Sequence, residues 1–72
     1  MLNQSAKSRN HYITTTFGIS GYFAVMRAEY EDEPGEWMED NVTTGIGRYR
    51  TKERAIIEAK QWAKEEGIPY KA

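Results

Sequence analysis

The stretch GIGRYRTKERAIIEAKQWAKEEGIP, residues 45–69, holds the end of a β-strand, a capped helix and its terminator in one run. Thr51 is placed to be the N-cap: its hydroxyl can accept from an orphan amide of the first turn, while Glu53 sets negative charge against the helix dipole. Ala55, Ile56, Ala59, Trp62 and Ala63 fall within about a third of the helical circumference at ~100° per residue, so one face is apolar. Gly67 can take the left-handed position after the last turn, Ile68 can fold back onto it, and Pro69 forbids continuation. A lone helix of this length is marginal in water. The stripe needs a partner surface, and the residues before it supply one.

From His11 the run HYITTTF is β-branched and aromatic, with Ile13, Thr15 and Phe17 alternating against Tyr12, Thr14 and Thr16, as in a strand. GISG, residues 18–21, predicts a tight link, glycine at both ends permitting positive φ. A second strand runs from Tyr22 to about Tyr30, with Tyr22, Ala24, Met26, Ala28 and Tyr30 on one face and Phe23, Val25, Arg27 and Glu29 on the other. It is apolar on both faces at its start, which places it at the centre of the sheet. Pro34 and Gly35 predict a turn, and Trp37 and Met38 begin the returning strand. Asp40, Asn41 and the glycines at 45 and 47 predict a break or bulge before that strand resumes over residues 46–50.

Residues 1–10 are small, polar and unpatterned and are expected to form a flexible arm. Residues 11–72 then make a single βββα domain. The expected fold is α+β: three antiparallel strands, four if the third is split, packed against one C-terminal helix. Its expected core is Ile13, Phe17, Phe23, Val25, Ile46, Tyr49, Ala55, Ile56, Ala59, Trp62, Ala63 and Ile68.

Composition narrows the function classes. A chain of 72 residues supports one modest core and disfavours a large catalytic cleft. Without cysteine there is no disulfide framework and no thiolate zinc site, which suits a reducing compartment. No apolar run approaches the ~18 residues that span a bilayer, and MLNQSAKSRN lacks the apolar segment of a signal peptide, so a cytoplasmic protein with no membrane partner is expected. The net charge is −1, but its distribution is uneven. Residues 1–28 carry Lys7, Arg9 and Arg27 and no acid; residues 29–40 carry seven carboxylates and no base; Arg48, Arg50, Lys52 and Arg54 follow with Glu53 as the one acid among them.

Little in this sequence points to catalysis. His11 is the single histidine, and a nucleophile–base pair would need Ser5, Ser8, Ser20 or a threonine beside it; an exposed strand-end histidine is the simpler reading. DEPGEWMED lacks the regular ligand spacing of a calcium loop, so no metal or cofactor is expected. Binding is the stronger reading. Tyr30, Glu31, Asp32, Glu33, Glu36, Trp37, Met38, Glu39 and Asp40 combine a negative field with large amphipathic side chains, which suits a basic surface on a host protein or on a second copy. The acids would steer the encounter and imitate a row of phosphates. The competing reading of Trp37 is that it packs under the helix.

Nucleic acid is the second choice of partner. Arg27, Arg48, Arg50, Lys52 and Arg54 are the candidate contacts, with Arg48 and Arg50 expected to project from one strand face toward phosphates or guanine edges. An acidic hairpin on the same face would repel a polyanion, and the simpler reading of the cluster is a solvated rim pairing with those acids. Ile57 lies opposite the apolar stripe, as either a lone exposed residue or a dimer contact, so monomer and homodimer both fit.

Ile46, Gly47, Tyr49, Thr51, Glu53, Ala55 and Ala59, in IGRYRTKERAIIEA, resemble the end of DNA-binding domains built from a three-stranded sheet and a helix. These are the plant ethylene-response type and the arm-binding domains of phage tyrosine recombinases. The resemblance covers about a fifth of the chain and implies a sheet entering the major groove through strand arginines and tryptophans, a part open here to Arg27, Arg48 and Arg50. The acidic second hairpin departs from that pattern. The ending TGIGRYRTKERAIIEAKQWAKEEGIPY also resembles small phage and prophage proteins. That likeness implies an accessory protein that modulates a host component such as a defence nuclease or polymerase.

Overall fold

The computed structural model describes residues 10–72. Of the expected arm, residues 1–9 lie outside the described residues, and Asn10 belongs to the first strand. The elements are β1 (Asn10–Gly18), β2 (Gly21–Glu33), β3 (Glu36–Thr44) and α1 (Lys52–Glu66). The strands form one antiparallel sheet in the order β1-β2-β3, so the fold is α+β with one helix on a three-stranded sheet. Among the described residues a fourth strand does not form.

The long central strand dictates the layout. Ile13 faces Met26 and Thr15 faces Ala24 across β1 and β2, which puts these four on the helix side by alternation. There Ile13, Ala24, Ala59 and Ala63 form the buried cluster, with Met26, Trp62, Ile68 and Tyr70 packed around it. The small side chains on both partners, Ala24 and Ala28 on β2 and Ala55, Ala59 and Ala63 on α1, are buried. They let the helix backbone lie close to the sheet. On the far face Tyr12, Thr14 and Val25 are buried as well.

Both ends of α1 follow from local chemistry. Thr51 sits in extended conformation and its side chain accepts from the Arg54 amide. Gly67 takes φ +72°; its amide donates to Lys64 and the Ile68 amide to Ala63, at 3.3 and 3.0 Å. That is the paired termination that a left-handed glycine permits, closed by Ile68 packing inward. The chain then turns alongside β1. The Ile13 amide donates to the Pro69 carbonyl and the Lys71 amide to the Ile13 carbonyl, each at 2.9 Å, a one-residue parallel bridge of Tyr70 to Ile13.

The first hairpin turns on Ile19 and Ser20, with Gly18 opposite Gly21. Gly21 holds φ +122°, and a Cβ there would lie 2.5 Å from the Tyr49 carbonyl oxygen. Glycine lets the two backbones meet. Tyr22 and Tyr49 exchange both backbone bonds there, at 2.8 and 2.9 Å.

Three expectations need correction. The third strand does not resume over residues 46–50: after Gly45 donates to Ala24 at 2.9 Å the ladder lapses, and Tyr49 alone pairs again. Ile46, left in that lapse, is 96% exposed and is not core. Phe17 is 68% exposed; it sits at the hairpin end of β1, its ring 4.8 Å from that of Tyr22, rather than in the buried cluster. The expected bulge does occur, one residue beyond Asn41, where the shift between Met26 and Arg27 leaves Val42 unpaired on β3.

Candidate functional site

The helix packs on β1 and β2 and not on β3. The 15 residues of α1 span about 22 Å, the 13 residues of β2 about 40 Å, and β1 pairs with β2 only as far as Glu29. Residues 30–33 of β2 and 36–38 of β3 therefore run on as a two-stranded arm. Every residue of β3 is exposed, including Trp37 at 53% and Met38 at 46%. Trp37 does not pack under the helix.

The turn at the tip is built as its sequence demands. Gly35 has φ +86°, which Pro34 before it and the open space around it accommodate. The Glu31 carboxylate accepts from the Gly35 amide at 2.8 Å, and a second register shift leaves Asp32 as an extra residue on β2. Between the two shifts Tyr30 faces Met38, Glu31 faces Trp37, Glu29 faces Glu39 and Arg27 faces Asn41. By alternation Trp37 and Glu39 share the far face with Glu29, Glu31 and Arg27, while Met38 and Asp40 lie on the helix side with Tyr30. A recess of about 260 Å³ is lined by Glu29, Trp37, Met38 and Glu39.

Some of these carboxylates are held by the protein. Glu39 accepts from the Tyr12 hydroxyl, and Glu29 lies 3.9 Å from the Lys71 ammonium, which also sits 4.5 Å from the Tyr12 ring centre. Among the described residues, Asp32, Glu33, Glu36 and Asp40 have no cation within ion-pair distance. Nor do three acidic or histidine side chains converge as a metal site would require, among the described residues.

The basic residues are not gathered into one patch. Arg27 donates to the Asn41 side chain at 3.0 Å on the far face. Arg48 folds back: its guanidinium stacks 4.2 Å from the Phe23 ring centre and donates to the carbonyls of Gly45 and Gly47 at 2.8 and 2.9 Å. It does not project from a strand, because the ladder has lapsed there and the freed carbonyls capture it. Arg54 lies 5.7 Å from the Tyr49 ring centre, while Arg50 and Lys52 are exposed. Arg48 to Arg54 thus sit at the Tyr22 end of the sheet and the hairpin acids at the other, along a molecule 41 Å in its longest extent. His11 lines a cleft beside the C-terminal segment whose lining, among the described residues, contains no serine or threonine; Ser5 and Ser8 lie outside the described residues. Among the described residues no helix is long and apolar enough to cross a membrane.

A scan against protein-family models finds no match, and searches of curated proteins and of solved structures find no similar chain.

Proposed function

We propose that this chain is a non-enzymatic protein-binding module that contacts a basic surface through the hairpin of residues 30–40. One observation carries the reading: the hairpin runs on past the end of β1, its β3 strand clear of α1, with Trp37 and Met38 exposed among carboxylates that no cation of the described residues neutralises. Large amphipathic side chains anchor interfaces, and the surrounding acids steer a cationic partner toward them. A surface of this chemistry would suit a modulator of a nucleic-acid-handling protein, whose own basic groove reads a row of carboxylates as it reads phosphates.

The test is a comparison of variants against one basic partner, with a polylysine chain as the first probe. Changing Glu31, Asp32, Glu33 and Glu36 to their amides, and separately Trp37→Ala, should each abolish binding while the far-ultraviolet spectrum stays unchanged. Binding retained by the amide variant would sink the reading.

DNA binding by the far face is the second reading, favoured by Arg27 and Arg48 both lying on it. Their existing partners and the neighbouring Glu29, Glu31 and Glu39 weigh against it, as does the burial of Tyr12, Thr14 and Val25 at its centre. A labelled mixed-sequence duplex titrated at about 50 and about 200 mM salt decides it: binding that falls steeply with salt would support DNA, and no binding at the lower salt would remove it.

A further inference from the structure

Resting on the hairpin as the contact surface, we propose that its partner is bound by strand addition to the outer edge of β3, unpaired among the described residues, over residues 36–41. The added strand carries Lys or Arg at alternate positions. The two edges of this sheet are not equivalent. At Ile13 the β1 edge is occupied by the chain's own residues 69–71, through two backbone bonds of 2.9 Å, whereas β3 is the other edge strand and is exposed along its whole length. An uncovered edge offers a row of backbone donors and acceptors to any extended segment that can approach it.

Charge selects which segment that is. Glu36, Glu39 and Asp40 lie on β3 itself, and Glu29, Glu31 and Glu33 stand beside them on β2. A neutral strand would desolvate these acids, of which Glu29 alone has a cation within ion-pair distance among the described residues. A second copy paired over the same residues would bring three β3 carboxylates from each chain together, so the edge is closed to self-pairing and open to a basic strand. Side chains of an added strand alternate between the two sheet faces. Those on the far face meet Trp37 and Glu39 at the recess shared with Glu29, where an indole face and two carboxylates suit a guanidinium or ammonium. Those on the helix side meet Met38 and Asp40. The unpaired Val42 sets the limit of the site, because a bulge disrupts the regular edge on which addition depends.

A synthetic hexapeptide of alternating Arg and Val, and the same peptide methylated on every backbone amide, distinguish the outcomes when titrated into the full chain with amide hydrogen exchange as readout. The expected result is binding of the unmethylated peptide with slowed exchange within residues 36–41 and not at Thr43 or Thr44. The methylated peptide should bind at least about tenfold more weakly. Equal binding of both peptides overturns strand addition and leaves the acidic contact standing. Binding of neither overturns the hairpin reading as well. Slow exchange over residues 36–41 in the peptide-free protein, together with a concentration-dependent dimer, would show that a second copy holds the edge, and overturns the proposal.

Discussion

The Tyr12 hydroxyl on β1 donates to the Glu39 carboxylate on β3, reaching across the strand between them. This bond ties the acidic arm to the body of the sheet and makes Glu39 both a structural residue and a candidate contact. Burial raises the Tyr12 pKa above the ordinary 10.0, and the bond to Glu39 raises it further, against an opposing effect of Arg27. A raised pKa means that the folded state holds the proton more tightly than the unfolded chain. The stability this contributes is complete below about pH 10 and is lost as pH rises through the folded value. Tyr12→Phe should cost about 1 kcal/mol near neutrality, since Glu39 is exposed and water replaces the lost donor. It should also flatten the alkaline fall in stability. Urea unfolding of both proteins across the alkaline range checks both expectations.

Gly21 and Gly35 both have positive φ, at +122° and +86°, but their surroundings differ. A Cβ at Gly35 meets nothing within 4 Å, whereas one at Gly21 meets the Tyr49 backbone oxygen at 2.5 Å. Gly35→Ala should therefore cost only the conformational strain, about 1–2 kcal/mol. Gly21→Ala adds a clash that can be relieved only by breaking the Tyr22–Tyr49 bridge, and should lower the urea midpoint by clearly more. Equal effects would mean that the bridge contributes nothing.

The limits of α1 were legible because their chemistry is local: Thr51 and Gly67 each act on neighbours within a turn. The hairpin turns were legible for the same reason. What depends on another element was harder to read. HYITTTF alternates equally well in either sense, and its pattern favours Ile13 and Phe17 over Tyr12 and Thr14; in the fold Ile13 is buried under α1, Tyr12 and Thr14 are buried on the other face, and Phe17 is exposed. The acidic arm stood out by composition. Its freedom from the helix was not legible, because the second strand reads as ending near Tyr30, whereas β2 continues to Glu33 beyond the last residue that pairs with β1. Arg48 was not readable, because two glycine carbonyls released from the ladder hold it, and no spacing marks where a ladder lapses.

Arg48 and Arg50 look equivalent in the sequence and should differ on substitution. Arg48 stacks on Phe23 and donates to two carbonyls, so Arg48→Ala should cost about 1–2 kcal/mol through lost packing and unpaired acceptors. Arg48→Lys should restore little, because an ammonium cannot reproduce the planar stacking. Arg50 is exposed, and Arg50→Ala should stay within about 0.5 kcal/mol of the parent. Chemical denaturation of the three variants measures this, and matched losses at both positions would contradict the assigned geometry.

The acidic arm should be a burden on the fold as well as a contact surface. Asp32, Glu33 and Glu36 crowd the tip without a cation among the described residues, and like charges at this spacing repel in water over roughly a Debye length. Converting Glu31, Asp32, Glu33 and Glu36 to their amides keeps the hydrogen bond from the Gly35 amide, since a glutamine oxygen at position 31 can still accept it. The amide variant should therefore be as stable as the parent or more so at low salt, with the difference shrinking as salt screens the parent's repulsion. Thermal unfolding at two ionic strengths reads this directly. A variant less stable at low salt would mean that the carboxylates make attractive contacts within the fold, and the arm's charge would then have to be explained by structure rather than by binding.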